Sequence, residues 1–216
     1  MKLNVPIVKQ PEGSVDCAIA GIAMWFKFYG LKKTFAEIKK EIEVDEIGTY
    51  MPQIGTYLIR HGFKVELITM HPKLFTLKDR SCSQEKLKTI FDEAYTNAKN
   101  EQDKKVISYF KEFLKAGGKI NVKIPSIGDV IKELDNGRPV GASLTSTFLT
   151  GTKPRFNFHF NLITGYDNKY IYVNDPRWDE FGGDKKYLIE DFFYGIHASA
   201  YGDLDNASLI LVKKQN

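Results

Sequence analysis

Apolar residues of the segment DCAIAGIAMWFKFYG return at the three-to-four-residue interval of a buried helix face, and Gly30 stands where a left-handed cap would end it. This predicts a helix whose first turn carries Cys17. KKTFAEIKKEIEV reads as a second amphipathic helix, with Thr34 as N-cap and Glu37 completing a capping box. A third is expected from Pro52 to His61, entered from Thr49 and closed by Gly62. FKVELITM then alternates like a strand.

Between Pro72 and Gly118 the chain becomes rich in Lys and Glu, while Leu87, Ile90, Phe91, Phe110, Phe113 and Leu114 keep helical spacing. We expect a helical insertion over residues 72–118 of a single domain spanning 1–216, serving as a solvated elaboration or as a substrate-selecting wall beside a cleft. Ser126 and Asp129 have capping-box spacing at the start of SIGDVIKELDNG, and Gly137 closes that helix. Strands follow in RPVGASLT, FHFNLITGYD, KYIYVND and ASLILVKK, with Asp167 and Asn168 suited to a hairpin turn. Helices first and strands last predict an α+β fold, an N-terminal helical half packed on a C-terminal antiparallel sheet.

Composition narrows the function classes. With 216 residues, 43% of them hydrophobic, the chain can build one sizeable core. Its 31 Lys and Arg against 27 Asp and Glu leave a scattered net charge of +4, which argues for neither a nucleic-acid nor a membrane partner. No apolar run approaches the roughly 20 residues of a membrane span, and the N-terminus lacks a secretory core. A cytoplasmic protein is expected, although a chain already trimmed of a signal would read the same. Cys17 and Cys82 are the only cysteines, and a domain of this size does not need a disulfide, so both are expected as free thiols.

A helix N-terminus favours the thiolate form of a cysteine, and a neighbouring histidine can accept its proton. Four histidines compete for that role. His61 sits at a helix end, His71 precedes a proline in a turn, and His197 lies in a polar stretch near the C-terminus. His159 instead opens the strand HFNLITGY, and a hairpin carries the next strand to Asp175. Cys17, His159 and Asp175 thus provide nucleophile, base and orienting carboxylate in chain order. An oxyanion would also need a donor beyond the Cys17 N–H, and Gln10 is the only glutamine near Cys17 in sequence. Trp178 and Phe181, just past Asp175, are candidate cleft walls. A metal bound by Cys17, His159 and Asp175 lacks a close-spaced ligand pair, and no cofactor is expected.

At these residues the sequence resembles the papain-like cysteine peptidases, specifically the double-glycine leader (bacteriocin-processing) peptidases and their stand-alone relatives. The resemblance rests on VPIVKQPEGSVDCAIAGIAMWFKFYG, then GRPV, HFNLITGYD and VNDP. It implies a papain-like fold, Gln10 as oxyanion donor, Cys17 as nucleophile, His159 as general base and acid, and Asp175 as orienting carboxylate. It also implies a peptide or protein substrate. Ala18 stands where that family commonly has glycine, and Gln10 lies slightly further from Cys17. Hydrolysis, acyl transfer to an amine and a catalytically inactive binding module all remain open.

Overall fold

A computed structural model of the chain describes residues 1–153 and 157–215. The N-terminal half holds α1 (Cys17–Tyr29), α2 (Phe35–Glu41), α3 (Met51–Arg60), β1 (Phe63–Thr69), α4 (Gln84–Asn97) and α5 (Glu101–Lys115). Then come β2 (Lys119–Val122), α6 (Ile127–Asp135), β3 (Val140–Leu144), α7 (Thr147–Thr150), β4 (His159–Tyr166), β5 (Tyr170–Asp175), β6 (Gly183–Leu188), α8 (Ile189–Ala198) and β7 (Ser208–Lys214).

Local chemistry accounts for the boundaries. Gly30 adopts φ 78°, the left-handed conformation that ends α1. At α2 the Thr34 N–H donates to Glu37 Oε2 at 2.7 Å and the Glu37 N–H to Thr34 Oγ1 at 3.3 Å, the expected reciprocal cap. Asp129 Oδ2 likewise accepts from the Ser126 N–H and hydroxyl at α6. The third helix is entered one residue later than expected, from Tyr50, whose N–H donates to Gln53 Oε1 at 3.3 Å.

The fold is α+β. Seven strands form one sheet in the order β2-β1-β7-β3-β4-β5-β6. Its C-terminal strands pair antiparallel, and β1 extends it by pairing antiparallel with β7 and parallel with β2. Thus the sheet recruits β1 from the N-terminal half and, beside it, β2 from just after α5.

Each face buries its own apolar layer. On one, Trp25 meets Phe160 edge-on with centroids 5.6 Å apart, and a Cβ added to Gly21 would lie 2.2 Å from the Phe160 ring. The absence of that side chain lets α1 lie directly on β4. On the other face Val130, Leu134, Ile163, Val173, Phe192 and Ile196 pack α6 and α8 against the sheet. Each such fully buried side chain contributes about 1.5–3 kcal/mol of transfer free energy before entropy is charged.

The stretch 72–118 is not merely solvated. Leu87, Phe91, Val106, Ile107, Phe110 and Phe113 join the main apolar cluster, with Phe91 stacked on Phe110 at 4.9 Å. Phe113 fills the space over Gly55 of α3, where a Cβ would come within 2.5 Å of its ring.

Candidate active site

Helix α1 begins at Cys17 itself, so the Cys17 N–H belongs to the first turn and has no partner within the helix. Asp16, the preceding residue, makes no side-chain cap. Its buried carboxylate instead takes Lys39 Nζ on Oδ2 at 2.5 Å, tying the helix start to α2. Cys17 is 5% exposed, so its sulfur lies just under the surface.

His159 opens β4, is also 5% exposed, and reaches in two directions. Its Nε2 is 2.7 Å from Asp175 Oδ1, at the end of the neighbouring strand β5. The ring also interacts electrostatically with the Cys17 side chain, and since Nε2 is engaged by Asp175, the remaining nitrogen Nδ1 is the one available to sulfur. The structure therefore brings Cys17, His159 and Asp175 together, while Phe160 between them anchors α1 to β4.

Burial alone would lower the His159 pKa. The charge of Asp175, its hydrogen bond and the contact with Cys17 outweigh burial and raise the imidazole to about 10. Burial pushes Asp175 upward too, but His159, the Arg177 N–H and Asn161 bring its carboxyl below the usual range. The pair is thus arranged as imidazolium and carboxylate. Asp175 Oδ1 accepts from both His159 and the Arg177 N–H, the latter at 2.9 Å.

Gln10 is 9% exposed and lies beside the same strand end, its N–H donating to the Pro176 carbonyl at 2.8 Å. Its side-chain amide donates to the Ser14 carbonyl, and Oε1 is buried with no partner. Ala18 is fully buried in the core. Trp178 is 44% exposed, whereas Phe181 lies under the Arg177 guanidinium at 5.1 Å.

The other histidines serve elsewhere. His61 Nδ1 contacts the Tyr57 carbonyl at 2.9 Å, and His197 Nε2 contacts the Pro125 carbonyl at 3.0 Å. His71 is fully buried rather than in an open turn, and burial lowers its pKa to about 4.

Sequence reading missed Asn157. Its Oδ1 accepts from Thr145 Oγ1 and from the N–H groups of Ser146 and Thr147, and its Nδ2 donates to Ser146 Oγ. One side chain thereby closes the β3–β4 connection two residues before His159. An asparagine just ahead of a strand was the only available signal. A narrow slot lined by Ile47, Gly48, Thr49, Tyr50, Phe158 and Asp203 adjoins the site through Phe158, the neighbour of His159. Gly48 lies against the segment that leads into α1, since a Cβ there would lie 3.2 Å from the Val15 carbonyl. A larger groove beside Phe63, Val65, Glu133 and Arg138 holds none of the three chemistry-bearing residues.

Among the described residues no helix is long and apolar enough to cross a membrane, and no group of three His, Cys, Asp or Glu side chains could hold a metal ion. No curated protein matches the chain. Among the solved structures that align with it are two, each at a TM-score of 0.49. One is a double glycine motif protease from an AMS/PCAT transporter in complex with the leader peptide, 14% identical over 99% of this chain and 94% of that one. The other, from Bacillus anthracis and described as C39-like peptidase, is 16% identical over 100% of both chains. The model of the Peptidase_C39 like family matches residues 2–197, and the chain belongs to that family.

Proposed function

We propose that the protein is a cysteine-dependent peptidase or amidase acting through Cys17, His159 and Asp175. Family membership supports a papain-like cysteine peptidase in general. The observation that carries the specific reading is the position of His159, 2.7 Å from Asp175 on one side and within electrostatic reach of the Cys17 side chain on the other.

His159 takes the Cys17 proton, and the thiolate attacks the carbonyl carbon of a peptide or amide bond, forming the S–C bond. The oxyanion is met by the Cys17 N–H and a free N–H of the Gln10 side-chain amide. As the tetrahedral adduct collapses, the C–N bond breaks and the imidazolium gives its proton to the departing amine. A thioester remains. Water then gives a proton to His159 and adds its oxygen to the acyl carbon, and the C–S bond breaks to regenerate the thiolate. Asp175 keeps the imidazole oriented and its charged form stabilised throughout.

An amine in place of water would make the same residues an acyltransferase or transpeptidase. A catalytically inactive binding module is the remaining alternative, and Gln10, with one amide N–H already given to Ser14, is the feature that keeps it open. The free thiols Cys17 and Cys82 fit a cytoplasmic setting.

The helical stretch 72–118 belongs, on this reading, to the single domain and braces the narrow slot beside His159. Gln102 of α5 donates to the Tyr50 hydroxyl at 2.6 Å and to Asp203 Oδ1 at 3.2 Å, bracing two walls of the slot. Lys105 pairs with Asp45 at 3.0 Å beside them.

Incubating wild type and Cys17→Ser with a peptide library, with and without added amine, tests the assignment by mass spectrometry. New termini formed by wild type alone support a peptidase, and amine-capped products support transfer. Equal product from both proteins rules out Cys17 as the nucleophile. No turnover together with an unreactive Cys17 favours the binding module.

A further inference from the structure

Two residues beyond His159 on β4 stands Asn161, on the same strand face. The register pairs Leu162 with Asn174, so one step further Asn161 lies opposite Asp175. Directly opposed residues bring their Cβ atoms to about 5 Å, while His159 meets Asp175 only on the diagonal. Asn161 is 1% exposed, so water does not serve its amide.

The donors and acceptors around Asp175 leave one vacancy. Oδ1 accepts from His159 Nε2 at 2.7 Å and from the Arg177 N–H at 2.9 Å. Oδ2 is buried with no hydrogen bond of ordinary geometry. Asn161 Nδ2 gives one hydrogen to the Phe160 carbonyl at 2.9 Å, which leaves its second for the carboxylate. The amide acts on Asp175 as a donor, at a contact short of a fully formed bond. A buried ionised carboxylate with one oxygen unserved is costly, and this is the side chain placed to serve it.

We propose that Asn161 is a positioning residue whose amide closes on Asp175 Oδ2, fixing the carboxylate so that Oδ1 faces His159 and keeping the imidazolium–carboxylate pair charged. The proposal rests on the assignment of Cys17, His159 and Asp175 above. Asn161 acts through Asp175 and does not touch substrate. Without its donor the charged pair becomes costlier, and the proton moves from imidazole toward carboxylate. The other charged and titratable groups facing Asp175 are Arg177 beside it in the chain, itself paired with Asp179, and Tyr187 of β6. None supplies a hydrogen to Oδ2.

The test uses the intact chain with Asn161→Leu, which keeps the volume but loses the donor, and Asn161→Asp, whose carboxyl donates only when protonated. His159 is titrated by NMR, and Cys17 alkylation is followed against pH. In Asn161→Leu the His159 midpoint falls by about one pH unit, a tenfold change in its ionisation constant. In Asn161→Asp, wild-type Cys17 reactivity returns at acid pH and is lost as the new carboxyl ionises. A wild-type His159 midpoint in a folded Asn161→Leu protein overturns the proposal, whatever its thermal stability. Should wild-type Cys17 react like a free thiol, the assignment of the three residues fails, and the His159 titration still decides the role of Asn161.

Discussion

The Gln10 N–H donates to the Pro176 carbonyl at 2.8 Å, clamping the N-terminal segment to the residue that follows Asp175. One backbone bond therefore sets the place of Gln10 relative to the far end of the His159–Asp175 pair. The side-chain amide is fixed in turn by the Ser14 carbonyl, three residues before Cys17. The longer spacing between Gln10 and Cys17 is absorbed by this looped segment, which turns through Gly13 at φ 68°.

Gln10→Ala removes the proposed second oxyanion donor without touching the thiol. Steady-state kinetics should show kcat lowered by about 10²–10³, the usual cost of such a donor, while the Cys17 alkylation rate stays at the wild-type value. Unchanged kcat would remove Gln10 from the mechanism.

Gly21→Ala tests the docking of α1 on β4. The new Cβ would sit 2.2 Å from the Phe160 ring, so helix and strand must separate. Overpacking of this kind costs about 1–3 kcal/mol, readable by urea denaturation. Since Cys17 lies on α1 and His159 adjoins Phe160, its thiol reactivity should fall as well.

Asp205 is fully buried, accepts the Met51 N–H at 2.7 Å, and has an unpartnered Oδ1. Burial, with Asp203 and Asp45 nearby, raises its pKa to about 7 against the opposing Met51 hydrogen bond. The folded state therefore holds a proton that the unfolded state releases near pH 4, and stability declines as pH rises from about 4 to 7. Asp205→Asn keeps an acceptor for Met51 and removes this ionisation. Urea titrations should find it more stable than wild type at pH 8, by on the order of 2 kcal/mol, with the difference shrinking toward pH 5. A constant difference across that range would exclude Asp205 as the titrating group.

Much of this was legible in sequence, for identifiable reasons. Helices α1, α2 and α6 announce themselves by apolar period and by caps at Gly30, Thr34 and Ser126. The trio of Cys17, His159 and Asp175 follows from where each falls on its element. Strand β6 was not legible, because GDKKYL is a half-exposed edge strand whose form depends on its ladder with β5. Strand β2 has four residues, too few for a period to show, and takes its conformation from parallel pairing with β1. Asn157 and Asn161 owe their roles to partners brought close by strand register, which a linear pattern of residue types does not encode.

The placement of α5 makes a further prediction. Gln102→Ala removes the bridge between Tyr50 and Asp203 while leaving Cys17 and His159 untouched. Peptide-library profiling should show altered side-chain preference with unchanged Cys17 alkylation. An unaltered preference would make the helical stretch a purely structural part of the domain.

The pH dependence of Cys17 alkylation, read by mass spectrometry against Cys82 in wild type and His159→Ala, tests the central claim most directly. Cys82 is an internal control, since burial raises its pKa. The account predicts that wild-type Cys17 is alkylated at pH 6 at close to its alkaline rate and well ahead of Cys82, and that His159→Ala abolishes this advantage. A wild-type Cys17 that titrates like a free thiol near about 8.5, unaffected by His159→Ala, would contradict it.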